Sequence, residues 1–190
     1  MKLQKTTWVL LVIALLLGGG VYFYEMVAKP QQEEVKAQQS RIFDVTEDEV
    51  TGLIIEREEE ETLELQRTPD EEIPWQMTQP EERPASPGTV TFLLNLLEEG
   101  ERDRTFLIAP DEQDDYGLED PFAEITIFVR EQSDPYRIVI GDENFEGKLV
   151  YALINPEQSE TQELEVMLIP IDFKYAVDRE LEEWQQANNE

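Results

Sequence analysis

Carboxylates are the one reactive group this sequence holds in quantity. It has 44 acidic residues against 15 basic ones, no histidine and no cysteine, for a net charge of −29 over 190 residues. Two clusters have the spacing to attract a hard cation. Asp142-Glu143-Asn144-Phe145-Glu146-Gly147 resembles the front of a calcium loop, with oxygen ligands at alternate positions and glycine sixth. Such a loop needs a bidentate glutamate at its twelfth position, and that position is Leu153, inside a predicted strand. A hairpin turn between Ile140 and Leu149 accounts for the same residues and is preferred. Asp111, Glu112, Asp114 and Asp115 form the second cluster. In so acidic a chain, runs of this kind arise from composition alone. No metal ligand, cofactor site or catalytic residue is therefore assigned.

Other chemistries are bounded just as directly. Without cysteine there is no disulfide, thiolate zinc site, thiol nucleophile or acylated lipoprotein terminus. Without histidine there is no serine–histidine triad and no imidazole acid–base catalysis. A glycosidase pair of carboxylates needs a cleft and environments that split two pKa values, and spacing alone identifies neither. Ser86 with Lys148 or Lys174 would make a serine–lysine dyad, but Ser86 reads better as a helix cap. Trp75, Tyr116, Phe122 and Trp184 could stack on a ligand, although aromatics in a small domain usually fill its core. A surface this acidic repels phosphate backbones, so nucleic acid is not an expected partner.

The elements that must carry these residues follow from periodicity. Val50–Glu56 and Thr62–Arg67 read as a strand hairpin, the second strand alternating strictly at period two. Thr46-Glu47-Asp48-Glu49 before it has the form of a capping box. Trp75-Gln76-Met77 is a short strand ahead of Pro80. Ser86 and Pro87 open a helix whose Val90, Leu93, Leu94 and Leu97 share one face, and Gly100 stops it. Strands follow at 124–129, 136–140, 149–153 and 164–169. A last helix is expected after Asp172, lined by Phe173, Val177, Leu181 and Trp184. Strands then helix, twice, predicts an α+β fold: two related strand-meander-plus-helix units at 42–110 and 111–190, with each helix covering its own sheet face.

The N-terminus predicts where this domain sits. Trp8 to Tyr24 contains no charge, and with Met26, Val27 and Ala28 it gives an expected transmembrane anchor at 8–28. Lys2 and Lys5 precede it, which keeps a short tail at 1–7 in the cytoplasm and sends the rest outward. The bulky residues after Gly18-Gly19-Gly20 make a poor cleavage site, so an uncleaved anchor is favoured over a signal peptide. Residues 29–41 are polar and read as a stalk or linker.

Four features, taken together, resemble the bacterial family known as domain of unknown function 4340. They are the basic tail with its apolar run; the strand pair Val50-Thr51-Gly52-Leu53-Ile54-Ile55-Glu56 and Leu63-Glu64-Leu65; Trp75-Gln76-Met77-Thr78-Gln79-Pro80 before a helix; and Tyr116-Gly117-Leu118-Glu119-Asp120-Pro121 followed by Ile140-Gly141-Asp142 and Tyr151-Ala152. The two glycine-centred turns are the most specific part. The resemblance implies an exported, membrane-tethered bacterial domain of unestablished activity. Some relatives are similar to components that accompany gliding-type ABC export systems, which implies an accessory role. The expectation is a non-enzymatic scaffold or accessory protein of an envelope complex at the bacterial plasma membrane, with the membrane and another envelope protein as partners. The alternative is an extracytoplasmic binding module for cations or glycans.

Overall fold

Every strand predicted from alternation forms, but the strands assemble differently from the expectation. The computed structural model describes residues 40–58, 60–156 and 162–187. Residues 41–190 make one compact unit. Its strands are β1 (Val50–Arg57), β2 (Leu63–Arg67), β3 (Trp75–Gln79), β4 (Arg83–Pro84), β5 (Arg104–Ile108), β6 (Ala123–Val129), β7 (Tyr136–Glu143), β8 (Leu149–Ile154) and β9 (Leu164–Pro170). They form a single antiparallel sheet in the order β4-β3-β2-β1-β6-β7-β8-β9-β5. Among the described residues three α-helices accompany them: α1 (Pro87–Glu99), α2 (Asp172–Val177) and α3 (Leu181–Trp184).

The expected α+β fold of two related units is therefore corrected to a mostly β fold built on one sheet. The joint is β1 against β6, where Leu53 faces Ile127 and Ile55 faces Ile125. Those four side chains are buried, so the two halves of the sequence share their deepest contact. Nor does each helix cover a separate sheet. Val90, Leu93, Leu94 and Leu97 of α1, Phe173 and Val177 of α2, and Trp184 of α3 all belong to one cluster with Leu53, Leu65, Met77, Ile125, Ile138 and Ile169 of the sheet. One sheet face thus carries α1, α2 and α3. The last helix is also two short pieces, because the chain leaves helical geometry at Asp178. Leu181 is only partly buried, and Trp184 makes the deep contact. Among the described residues no helix is long and apolar enough to cross a membrane; the predicted span at 8–28 lies outside them.

Local signals explain the ends of α1. Ser86 Oγ accepts from the Thr89 amide at 3.5 Å and lies 3.1 Å from the Thr89 hydroxyl oxygen, to which its own hydroxyl can donate, and Pro87 occupies the first turn, where no amide partner is needed. At the other end Gly100 lies under the Phe173 ring, which would stand 3.0 Å from any Cβ there. That close approach lets α2 seat against α1.

The capping box at Thr46 also forms, around a short 3-10 turn at Glu47–Glu49. The Thr46 amide donates to the Glu49 carboxylate at 2.9 Å and its hydroxyl donates at 3.0 Å. These two bonds, the amide first, hold Glu49 below the ordinary glutamate range. A depressed folded-state pKa stabilises the fold above the ordinary value, and that contribution is lost as pH falls through the lower, folded one. A carboxyl-detected NMR titration should show Glu49 protonating at lower pH than a free glutamate, and Thr46→Ala should move it upward. An unchanged midpoint in that variant would refute the assignment.

Candidate functional site

The opposite sheet face is divided. Over β7, β8, β9 and β5 it is covered; on β6 it carries Phe128, 40% exposed among the described residues. The cover is the chain between β5 and β6. Pro110–Tyr116 forms a 3-10 turn in which the Glu112 carboxylate accepts from the Ala109 amide at 2.8 Å and Gln113 Nε2 donates to the Pro110 carbonyl at 2.9 Å. Two of the residues in the predicted acidic patch, Glu112 and its neighbour Asp111, thus stand in the turn's first residues. The turn sets Tyr116 edge-on to Tyr151, with ring centroids 4.9 Å apart, and 5.5 Å from Phe106. Leu118 then joins Ile108, Val139, Leu153, Leu164 and Val166 in a second, smaller core.

The two glycine-centred turns meet here. Gly117 has a left-handed φ of 64° and closes the 3-10 turn through its amide to the Asp114 carbonyl. A Cβ on Gly117 would lie 2.7 Å from Asp142 Cγ, while one on Gly141 would overlap the Tyr116 carbonyl oxygen and stand 3.0 Å from Leu118 Cδ2. Each glycine is needed by the other turn's backbone. Tyr116-Gly117-Leu118 and Ile140-Gly141-Asp142 therefore form a packing joint that fixes the cover on β7.

The calcium-loop-like stretch is the tip of the β7–β8 hairpin, as its turn reading requires. Asn144 Oδ1 accepts from the amides of Lys148 at 3.1 Å and Leu149 at 3.2 Å, and Gly147 takes a φ of 66°. Glu143 pairs with Lys174 at 2.8 Å, and Phe145 is 93% exposed at the tip. The serine–lysine pairing does not form: Ser86 caps α1, Lys148 lies beside Glu146 at 3.5 Å, and Lys174 is held by Glu143. The four aromatics are not brought together. Trp75 and Trp184 lie in the main core, Tyr116 is on the other side of the sheet, and Phe122 stacks under Lys174 Nζ at 4.6 Å.

Periodicity missed one acidic cleft. Glu56, Arg57, Glu58, Asp120, Pro121 and Glu124 line a space of about 330 Å³ where β1 and β6 run beside the end of the cover. Glu56 and Glu124 face each other across the strands, and Arg137 Nε relieves the repulsion by donating to Glu124 at 2.9 Å. Arg57 donates from its guanidinium to the Arg179 carbonyl at 2.9 Å and pairs with Glu60. Only strand register could have revealed this cluster, because Glu56 and Glu124 are far apart in sequence. Among the described residues no three acidic side chains stand where they could hold one metal ion.

These features agree with what comparison finds. The family model described as Domain of unknown function (DUF4340) matches residues 75–188, more than half of the chain, and the chain belongs to that family. No curated protein and no solved structure matches it.

Proposed function

We propose that the protein is a membrane-tethered extracytoplasmic scaffold or accessory component of an envelope complex, an ABC-type transporter being one such complex. The observation that supports this reading is the use to which its most distinctive residues are put. Tyr116-Gly117-Leu118 and Ile140-Gly141-Asp142 are consumed in a backbone-to-backbone joint, which builds a rigid surface and presents no reacting group. The uncharged run at Trp8–Tyr24 after Lys2 and Lys5 supports the tether and its direction.

Purification of the full-length chain from detergent-solubilised membranes is expected to bring down one membrane protein in fixed proportion. Protease added to intact spheroplasts is expected to digest residues beyond the apolar run. A chain that purifies without a stoichiometric partner, or a domain fully protected in spheroplasts, would overturn the proposal. A melting temperature that rises on calcium titration would instead favour the cation-binding alternative.

A further inference from the structure

Among the described residues Phe145 is the most exposed large apolar side chain, at 93%. It stands at the tip of the β7–β8 hairpin, and the turn does not require it. Turns are served by glycine, proline, asparagine, aspartate and serine, and here Asn144 and Gly147 meet the backbone's needs. The tip is also fastened to the body of the domain. The Asn144 amide donates to the Leu149 carbonyl at 2.8 Å, the Ile171 amide to the Lys148 carbonyl at 3.0 Å, and Lys174 reaches Glu143 at 2.8 Å. The ring is thus presented on a supported turn. Charge sets the same tip apart. Beyond residue 41 the sequence has two lysines, Lys148 and Lys174. Both stand at this hairpin, Lys148 3.5 Å from Glu146 and Lys174 beside Glu143. On a chain of net charge −29 the repulsion that keeps other surfaces away is locally reduced there.

We infer that the β7–β8 tip rests on the lipid bilayer, with Phe145 entering the boundary between headgroups and acyl chains. Lys148, whose side chain is 77% exposed, lies along the surface with its ammonium among the headgroups. Size selects this partner over a protein. A stable protein interface takes about 800 Å² from each side, whereas a lone aromatic ring supplies at most about 250 Å², and the residues that flank it in the hairpin are charged. A bilayer accepts a single side chain. One ring is a weak anchor by itself, but a tethered domain meets its membrane at a high effective concentration, so a weak contact is populated. Residues 29–39 separate the expected span from Ser40. At full extension they reach at most about 40 Å, about the width of a domain the size of residues 41–190, so the tip lies within reach of the bilayer. The domain's many carboxylates disfavour an anionic leaflet, which makes the lipid a zwitterionic one. The inference rests on the proposed tether and adds to it a second point of membrane contact.

The test uses the full-length chain reconstituted into vesicles of phosphatidylcholine, with and without a spin-labelled phosphatidylcholine that quenches nearby fluorophores. The chain has no cysteine, so Glu146→Cys and Asp134→Cys each accept a single fluorophore. Asp134 is exposed in the turn that precedes β7, at the opposite end of that strand from the tip. Quenching by lipid is expected to be several-fold greater at position 146 than at position 134. Phe145→Ser in the Glu146→Cys chain should lower the contact constant about tenfold or more, the effect of leaving a phenyl ring in water. Equal quenching at the two positions, or quenching at 146 that survives Phe145→Ser, would overturn the inference. Shielding of the 146 label that appears only when a copurified protein is added back would also overturn it, since a protein pocket would then hold the ring. A chain that does not float with the vesicles would overturn the tether itself and the inference with it.

Discussion

Trp184→Ala is expected to lower stability by about 3–5 kcal/mol, the usual range for removing a buried tryptophan. That is a large part of the roughly 5–15 kcal/mol that holds a domain of this size together. Trp184 is 1% exposed and lies in the main core with α1 and the sheet. Its loss would do more than leave a cavity. The segment around it is fastened at several points to distant chain: the Ser86 amide donates to the Trp184 carbonyl at 2.7 Å, Thr89 Oγ1 to the Glu183 carbonyl at 2.7 Å, and Gln185 closes the β4 edge. Without the indole plug these bonds span a short, exposed helix with little else to hold it. Trp184→Phe separates the two contributions. Among the described residues the buried indole N–H has no acceptor, and an unmet donor is unfavourable by about 1–3 kcal/mol. Phenylalanine keeps most of the ring contact and removes that donor, so it should destabilise by less than about 1.5 kcal/mol. Urea denaturation of the three proteins checks this. Equal midpoints for the alanine variant and the native chain would show that the C-terminal segment is dispensable.

The second large effect belongs to the packing joint. Gly141→Ala is expected to destabilise by about 3 kcal/mol or more, beyond the usual range for an overfilled core, because the new methyl meets backbone rather than a movable side chain. The Tyr116 carbonyl cannot withdraw without lifting the whole cover from β7. Gly117→Ala should be milder, though still destabilising. Its positive φ carries a penalty of about 1–2 kcal/mol for an L side chain; the exposed Asp142 carboxylate at 2.7 Å can swing aside, and the backbone contact that remains, the Asp142 nitrogen at 2.9 Å, is less close than the Tyr116 oxygen that a Cβ on Gly141 would overlap. Gly88→Ala in α1 serves as the control: nothing lies within 4 Å of its Cβ, and helical glycine replaced by alanine gains about 0.5–1 kcal/mol. The expected order of denaturation midpoints is therefore Gly88→Ala highest, then native, Gly117→Ala and Gly141→Ala. If Gly141→Ala matched the control, the two turns would not be in contact. Tryptophan fluorescence reports mainly the helix-covered core, so near-ultraviolet circular dichroism of Tyr116 and Tyr151 is the sharper local probe.

Local periodicity was read with little error, since alternation and caps depend on near neighbours. The strand at Leu63–Arg67, the helix from Pro87 to Glu99 with Ser86 and Gly100 at its ends, and the Thr46–Glu49 box all stand where their residues place them. β5 escaped notice because Arg104–Ile108 alternates weakly, its third and fourth residues both being large and apolar. The Asp142–Gly147 stretch was also correctly read as a hairpin turn, since Asn144 Oδ1 accepts from local backbone and Gly147 takes a positive φ, whereas the 3-10 turn that holds Asp111 and Glu112 was not foreseen.

Sequence alone determined most of the strands, the helix from Pro87 to Glu99, the closed list of chemistries that the absence of cysteine and histidine imposes, and the family. Tertiary structure alone decided that there is one sheet. Strand patterns record which face of a strand is apolar but not which strand lies beside it, and the pairing of β1 with β6 joins residues about seventy apart through side chains no different from those of a local hairpin. The same limit hid the purpose of the glycines. A glycine in sequence is only permission for close approach; what approaches Gly117 and Gly141 is each other's turn, brought there by the fold of the 3-10 cover over β7.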